Sequence, residues 1–409
     1  MFFFICSIFA LASIFIYAST KRMSIALLFS LEWTMLSILV CVLDLPRDEY
    51  AFLFILVNVV FFSIPSLFQR DTGSMSYRKA RIRKIEKMND SLLKIEGKFV
   101  KVDKYIILLN LLALIYLGYF LGFSIFSFQS EEALMLKMNS ISSSRYSGDD
   151  YTLPLVNRLV NTLVYAACGI EGFFMCCKKN KLFYLNLLLL FVQTLFTNTK
   201  ATIVFGFAFW LAGYITGLKF YERKVNTKKA LLAVLAVVGV FFFTVIINYL
   251  RRGGAFTIQD EIRNIATAYM IGPYSAFSLW YSSDPQPSME FGMNTFSCVF
   301  SWLGIREHVN GDFVYSSSLV TNVYTIFKHL INDFSYIGAI LFITISGIMS
   351  AVIDNLLLRK WVGSVGFSIV LISMILTAFF SSIFRYSTNL IACVIIILFS
   401  LFTNIKVIK

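Results

Sequence analysis

About eleven long apolar stretches, separated by mostly short polar segments, constrain this chain more than any other feature. They are residues 2–18, 24–43, 51–68, 105–127, 155–177, 182–197, 201–218, 230–249, 334–358, 363–383 and 388–404. Most approach the roughly 20 residues that a helix needs to cross a bilayer, where each backbone N–H and C=O has to be bonded within its own segment. Only 14% of the residues are charged, whereas soluble domains have about 25%. The sequence therefore predicts an all-α polytopic membrane protein that forms a single integral membrane domain over residues 1–409.

The basic residues are distributed unevenly between the two sides of the predicted bundle. One side carries 25 of the 36 lysines and arginines, and 11 of these lie in a basic loop over residues 69–104. Loops rich in Lys and Arg tend to stay in the cytoplasm. The N-terminus and the loops 128–153 and 250–333 are therefore predicted to face the periplasm. This topology explains the net charge of +13, and we predict no nucleic acid partner.

Residues 250–333 form the longest polar interruption of the chain. The segment includes Arg251 and Arg252 near its start and contains both histidines, His308 and His329. Its apolar parts are too short to cross a bilayer and too hydrophobic for water, so we expect them to lie at the interface or to dip back into the bundle. This large periplasmic loop is therefore predicted to carry the active site.

Several basic residues stand where predicted helices meet the outer interface, among them Lys200, Arg251, Arg252 and Arg385. Such groups suit a lipid-linked diphosphate, because guanidinium and ammonium groups bind phosphate oxygens and neutralise the charge of a leaving diphosphate. The alternative is that these side chains only extend to the interface to keep their charges in water. Two glycines follow the arginine pair and allow a ligand to approach closely, which favours binding at this position.

His329 and Asp333 are four residues apart in the run IFKHLINDF and would share one face of a helix. An aspartate can orient an imidazole that acts as a general base on a sugar hydroxyl, so both residues are predicted to be catalytic. Alternatively, Asp333 caps the following helix, whose first N–H groups lack partners. His308 and His329 are 21 positions apart and make no convincing metal site. We predict neither a metal nor another cofactor.

Three acidic residues, Glu32, Glu171 and Asp354, lie within predicted spans. A charge inside a membrane is costly and usually serves a function, such as a proton or substrate path. Structural pairing with another buried polar group is the equally strong alternative.

The run TNVYTIFKHLINDFSYIG, residues 321–338, resembles the oligosaccharide repeat-unit polymerases of bacterial surface polysaccharide assembly, the O-antigen (Wzy-type) polymerases. That family typically has an Asn-x-Tyr-Thr run, an aspartate-aromatic-Gly step and then a helix with small residues. The corresponding residues of this chain are Asn322, Tyr324, Thr325, Asp333, Phe334 and Gly338. Ser335 stands where the family often has Gly. The run TNTKATIVFGF is similar to a second family motif, with Lys200 where arginine is commoner.

This resemblance implies a bundle similar to the glycosyltransferase C fold and an enzyme of lipopolysaccharide biosynthesis in the bacterial inner membrane. The enzyme would transfer a glycan from undecaprenyl diphosphate to the non-reducing end of another lipid-linked repeat unit at the periplasmic face, without a metal. The expected partners are the lipid-linked donor and acceptor, membrane lipids and a chain-length regulator protein. The expected catalytic residues are His329 and Asp333, and the expected substrate-binding residues are Lys200, Arg251, Arg252, Tyr324 and Arg385.

Two other functions fit the sequence. A flippase for the same lipid-linked unit would have twelve spans in two similar halves, whereas the two halves of this chain show no internal repeat. An O-antigen ligase would share the architecture of a polymerase and would use lipid A core as the acceptor. The sequence leaves polymerase and ligase both open.

Overall fold

The computed structural model describes most of the chain as helix. The described residues are 2–20, 23–43, 47–68, 75–122, 154–176, 180–197, 201–223, 271–283, 285–305, 314–315, 320–321 and 323–408, with isolated residues between 239 and 262. The α-helices are α1 Phe2–Thr20, α2 Ile25–Val42, α3 Glu49–Leu67, α4 Met75–Phe120, α5 Leu155–Phe174, α6 Leu185–Thr197, α7 Ala201–Phe220, α8 Gly272–Ser282, α9 Ser297–Trp302, α10 Ile326–Leu358, α11 Ser364–Ala378 and α12 Ser387–Ile408. Two 3₁₀-helices span Lys181–Tyr184 and Ile383–Arg385.

Five of the helices in the described part of the chain are long and apolar enough to cross a membrane. They are Ile25–Val42, Glu49–Leu67, Ala201–Phe220, Ile326–Leu358 and the Ser387–Asn404 part of α12. Three shorter apolar helices are Phe4–Thr20, Lys181–Thr194 and Ser364–Ala378. The chain is therefore a helical, membrane-embedded protein, as predicted from the sequence. The predicted span 230–249 lies outside the described residues.

The chain divides into two compact units. The first unit comprises Met1–Asn89 and Ala266–Lys409, and the second comprises Asp90–Ile265. The boundary between the units falls within the long helix α4, and the predicted functional segment 250–333 belongs mostly to the first unit.

In the first unit, α10 packs closely against α3 and α2. Gly347 makes the crossing with α3 possible, because a Cβ atom at this position would lie 2.3 Å from the carbonyl oxygen of Phe62. Near the C-terminal end of α10, Asp354 Oδ2 accepts a hydrogen bond of 2.9 Å from the backbone N–H of Ile25. The first N–H groups of a helix lack partners within the helix, so this carboxylate completes the start of α2. Asp354 thus has a structural partner inside the bundle.

Aromatic rings fill the centre of the first unit. The ring centroid of Trp33 lies 4.9 Å from that of Phe327 and 5.8 Å from that of Tyr274. Tyr274 in turn lies 4.8 Å from Phe52 and donates or accepts a hydrogen bond of 2.9 Å with Ser37. These contacts join α2, α3 and α8 to the start of α10. The helix α8 belongs to the predicted periplasmic loop, and its contacts bear out the expectation that apolar parts of this loop dip back into the bundle.

The second unit is built on a close crossing of α5 and α7. A Cβ atom at Gly213 would lie 1.9 Å from the carbonyl oxygen of Gly169, and one at Gly172 would lie 2.0 Å from the carbonyl oxygen of Trp210. Small residues let helix backbones approach in this way, and such contacts are common in membrane proteins. The crossing therefore depends on glycine in both helices.

A buried polar cluster joins three helices of the second unit. The Asn186 amide nitrogen donates to Glu171 Oε1 at 2.7 Å and to Asp103 Oδ1 at 3.1 Å. All three side chains are buried. Glu171, one of the intramembrane acids noted in the sequence, is therefore held by a structural partner on α6.

The structure adds three features to the sequence prediction. The basic segment 69–104 is helical from Met75 and continues without a break into the next apolar stretch. The helix α10 begins at Ile326, and its backbone break at Ser335 lies next to residue 334, where the sequence predicts the span to begin. A short antiparallel hairpin within 250–333, Val314–Tyr315 paired with Val320–Thr321, adds β-structure to the predicted all-α fold.

Candidate functional site

A backbone break at Ser335 shapes the candidate site. Ser335 has φ 64° and ψ 179° within the otherwise helical run of α10. The break separates a short first segment, residues 326–334, from the long remainder of the helix. Phe327, Leu330 and Ile331 are fully buried, so this first segment is surrounded by the rest of the unit. His329 and Asp333, two residues of the predicted site, lie on this first segment of α10.

His329 and Arg385 meet at this segment although they are 56 residues apart in sequence. Arg385 ends the second 3₁₀-helix, and its Nη1 atom lies 3.5 Å from His329 Nε2. A guanidinium group has only donors, so the facing imidazole nitrogen has to be the acceptor, as in a neutral histidine. The structure therefore brings a potential base next to a potential phosphate ligand.

Lys328 adds a second cation beside the same histidine. Its Nζ atom lies 3.4 Å from the ring centroid of Tyr324 and 5.8 Å from that of Trp280. Cations are attracted to the faces of aromatic rings, which helps to hold the ammonium group of Lys328, a residue that is only 9% exposed. The charges of Lys328 and Arg385 both act on His329. Two cations and one imidazole thus share one small region of the unit.

Asp333 lies on the same segment, and its carboxylate is occupied by another part of the chain. Oδ1 accepts hydrogen bonds of 2.9 Å from the backbone N–H and from the side-chain amide of Asn294. Oδ2 accepts from the backbone N–H of Thr295 at 2.7 Å and from its hydroxyl at 2.6 Å. Asp333 is fully buried. The carboxylate of Asp333 therefore fixes the turn before α9. The neighbour of the His329 imidazole is Arg385.

The turn fixed by Asp333 leads directly to the backbone that carries Arg385. The Ser297 hydroxyl donates to the carbonyl oxygen of Arg385 at 3.2 Å, and Cys298 Sγ donates to that of Phe384 at 3.0 Å. The rings of Phe296 and Phe384 stack with their centroids 5.6 Å apart. Asp333 is therefore connected through this turn to the position of Arg385.

The structure brings together some of the residues predicted from the sequence. His329, Arg385 and Tyr324 lie around Lys328, and Asp333 lies on the same segment with the partners described above. Lys200, Arg251, Arg252 and His308 are outside the described residues. The third acid predicted within a span, Glu32, has one buried carboxylate oxygen, Oε2, that accepts no hydrogen bond from any described residue.

Sequence reasoning overlooked Lys328, Asn294 and Thr295. The signal for Lys328 was present, because it directly precedes His329 in an otherwise apolar run. No comparable signal marked Asn294 or Thr295, whose partner Asp333 is 38 or more residues away. Among the residues that the structure describes, no group of three or more His, Cys, Asp or Glu side chains is placed to hold a metal ion.

Comparison of the chain with family models, with curated proteins and with solved structures finds no match. The assignment of a function therefore depends on the residues of this site and on the resemblance noted in the sequence.

Proposed function

We propose that this protein is a polymerase of lipid-linked oligosaccharide repeat units in the bacterial inner membrane, acting at the periplasmic face. The observation that carries this proposal is the contact of Arg385 Nη1 with His329 Nε2 at 3.5 Å, with Lys328 as the next residue in the chain. A glycosyl transfer from a polyprenyl diphosphate needs cations at the leaving diphosphate and a base at the acceptor hydroxyl. This cluster contains both kinds of group.

The proposed reaction joins an acceptor sugar to the donor glycan. The acceptor hydroxyl oxygen forms a bond to the anomeric carbon of the donor, and the bond from that carbon to the diphosphate oxygen breaks. The hydroxyl proton passes to Nε2 of His329, and the diphosphate leaves with the bonding electrons. Lys328 and Arg385 neutralise the charge that develops on the leaving group. When the donor binds, Arg385 turns from His329 to the diphosphate, and the negative charge of the diphosphate offsets the two cations that would otherwise oppose protonation of Nε2.

The proposed topology has about eleven spans, with the segment 250–333 outside the cytoplasm. The distribution of basic residues supports this orientation, because 25 of 36 lie on the opposite side. In this topology Lys200, Arg251 and Arg252 are predicted to lie on the periplasmic side of the membrane, where their charges suit a lipid-linked diphosphate. The undecaprenyl chain would occupy the surrounding lipid, and a chain-length regulator would act on the same face.

The proposal is tested by complementing a chromosomal deletion with single variants and separating the surface polysaccharide on a gel. Arg385→Ala, Lys328→Ala and His329→Ala are each expected to leave single repeat units where the wild type gives a ladder. Arg359→Ala is the matched control, because Arg359 is an exposed arginine at the far end of α10, and it is expected to restore the ladder. Immunoblots of membranes verify equal amounts of protein. Full ladders from Arg385→Ala and Lys328→Ala would refute the proposed site.

The deletion strain itself separates the proposal from its rivals. Single-unit bands indicate a polymerase. Lipid-linked units that accumulate on the cytoplasmic face indicate a flippase, and intact free polymer without surface attachment indicates a ligase.

A further inference from the structure

Two thiols from different helices meet in the first unit. The Sγ atoms of Cys6, on α1, and Cys41, on α2, are 3.6 Å apart. Both side chains are buried, with 7% and 8% of their surfaces exposed. The reaction proposed above uses His329, Lys328 and Arg385, and neither thiol takes part in it.

The pair lies near the ends of its two helices. Cys6 is in the second turn of α1, which begins at Phe2, and Cys41 precedes the last residue of α2, Val42. The guanidinium of Arg47 lies 4.9 Å from the ring centroid of Phe2, so the start of α1 adjoins the connection between α2 and α3. The pair is therefore within one or two helical turns of the ends of α1 and α2.

The same end of the bundle is joined to α8. The backbone N–H of Asp48, at the start of α3, donates a hydrogen bond to the Ser278 hydroxyl. The hydroxyl of Tyr274, on α8, is hydrogen-bonded at 2.9 Å to that of Ser37, which lies one helical turn before Cys41 on α2. The helix α8 belongs to the segment that faces the periplasm in the topology proposed above. The thiol pair is thus at the periplasmic end of α1 and α2, where disulfides persist, whereas cytoplasmic thiols are kept reduced.

We propose that Cys6 and Cys41 form a disulfide in the mature protein, and this inference rests on the orientation given under the proposed function. The two thiols lose two protons and two electrons in forming one S–S bond. A disulfide-bearing thiol oxidant of the periplasm accepts them and is released as a dithiol. The reaction proceeds by thiolate attack and a mixed disulfide, and it takes place during insertion, before the thiols become buried.

The disulfide is a covalent link between α1 and α2 beside Tyr274. Tyr274 contacts Trp33, and Trp33 contacts Phe327 at the start of α10. The link therefore restrains the end of the bundle against which the segment carrying His329 is packed.

The test counts free thiols in membranes quenched with acid, denatured and treated with a maleimide-linked polyethylene glycol, without and with prior reduction. The chain has seven cysteines, so five labels are expected without reductant and seven with it. Cys6→Ser is expected to raise the count without reductant from five to six, because Cys41 loses its partner. The control Cys393→Ser, which removes a buried thiol of α12, is expected to lower that count by one.

The double variant Cys6→Ser/Cys41→Ser gives the decisive comparison. The proposal expects the same number of labels as in the wild type without reductant, because neither cysteine was free. A fall by two labels would overturn it. The thiol count does not depend on polymerisation, so seven free thiols in a strain with a normal polysaccharide ladder would refute the disulfide alone, and a five-label protein without polymerase activity would refute the proposed function alone.

Discussion

The carboxylate of Asp333 is bound by both the backbone N–H and the side-chain hydroxyl of Thr295, at 2.7 and 2.6 Å. Together with the two bonds from Asn294, these contacts hold the turn before α9 against the first segment of α10. The same turn places Cys298 against the carbonyl oxygen of Phe384. The contacts of Asp333 therefore extend, through one stretch of chain, to the backbone next to Arg385.

We expect Asp333→Ala to release this turn and expose Cys298 to alkylation. The variant leaves four donors without their acceptor, and Thr295→Val removes only the hydroxyl donor, so its effect should be smaller in the same direction. The measurement is the rate at which an alkylating reagent modifies Cys298 in the folded protein, followed by mass spectrometry of the peptide. Cys393, on α12, is the internal control and should keep its rate. An unchanged Cys298 rate in Asp333→Ala would contradict the proposed connection.

Ser335→Gly is expected to stabilise the protein. A φ of 64° with a ψ of 179° belongs to a region that only glycine adopts without strain, and such strain costs about 1 to 3 kcal/mol. The measurement is the midpoint of thermal unfolding in detergent, which should rise. Ser346→Gly provides the comparison, because Ser346 lies in the regular part of α10 and glycine inside a helix lowers stability by about 0.5 to 1 kcal/mol. A lower midpoint for Ser335→Gly would show that the break is not strained.

Asp354→Leu is expected to destabilise the first unit by about 1 to 3 kcal/mol, because it leaves the buried N–H of Ile25 without an acceptor. Asp354→Asn retains a side-chain oxygen that can accept this bond at the start of α2, so its loss should be smaller. The free energy of unfolding of the two variants, measured in denaturant, tests this order. Equal losses would indicate that the contact with Ile25 contributes nothing.

Asn186→Leu is expected to destabilise the second unit by about 2 to 4 kcal/mol, because it leaves the carboxyl groups of Asp103 and Glu171 buried without their shared donor. The double variant Asn186→Leu/Glu171→Leu removes one of these orphaned groups and should recover part of the loss. Unfolding in denaturant measures these variants and the single variant Glu171→Leu. If the double variant is less stable by the sum of the losses of the two single variants, the amide does not couple these residues.

Gly213→Ala is expected to disrupt the crossing of α5 and α7. The added methyl group would overlap the carbonyl oxygen of Gly169, which is 1.9 Å from the position of the new carbon, and backbone atoms cannot move aside at low cost. Gly97→Ala is the matched control in the same unit, because nothing lies within 4 Å of its Cβ position. Alanine is favoured over glycine in helices by about 1 kcal/mol, so this control should be slightly stabilised. Thermal midpoints of the two variants are expected to move in opposite directions.

Much of the secondary structure was predictable because it depends on local properties. The apolar stretches are long enough for helices, and the described helices coincide with all but the predicted span 230–249, which lies outside them. The span predicted over residues 334–358 coincides with the part of α10 that follows the break at Ser335. The buried helical segment before the break is not predicted, because the polar residues Lys328 and His329 obscure it. Lys328 lies over the ring of Tyr324 and His329 contacts Arg385, and a hydropathy pattern does not show such contacts.

The candidate site was predictable only in part. His329, Arg385 and Tyr324 were identified from residue type, position and resemblance. The neighbours of Asp333 were not, because Asn294 and Thr295 carry no local mark of their role. The predicted i, i+4 relation of His329 and Asp333 places both on the same helical segment, yet each side chain has a different partner.

That this is a helical membrane protein follows from local sequence alone, because the length and apolar character of a segment decide whether it can leave water. The uneven distribution of Lys and Arg among the loops predicts the orientation in the membrane, because loops rich in these residues tend to stay in the cytoplasm. The tertiary structure decided that Arg385 faces His329 and that Asp333 holds the turn at Asn294 and Thr295. These contacts join residues far apart in the chain, so their partners follow from the packing of whole helices and from the backbone break at Ser335.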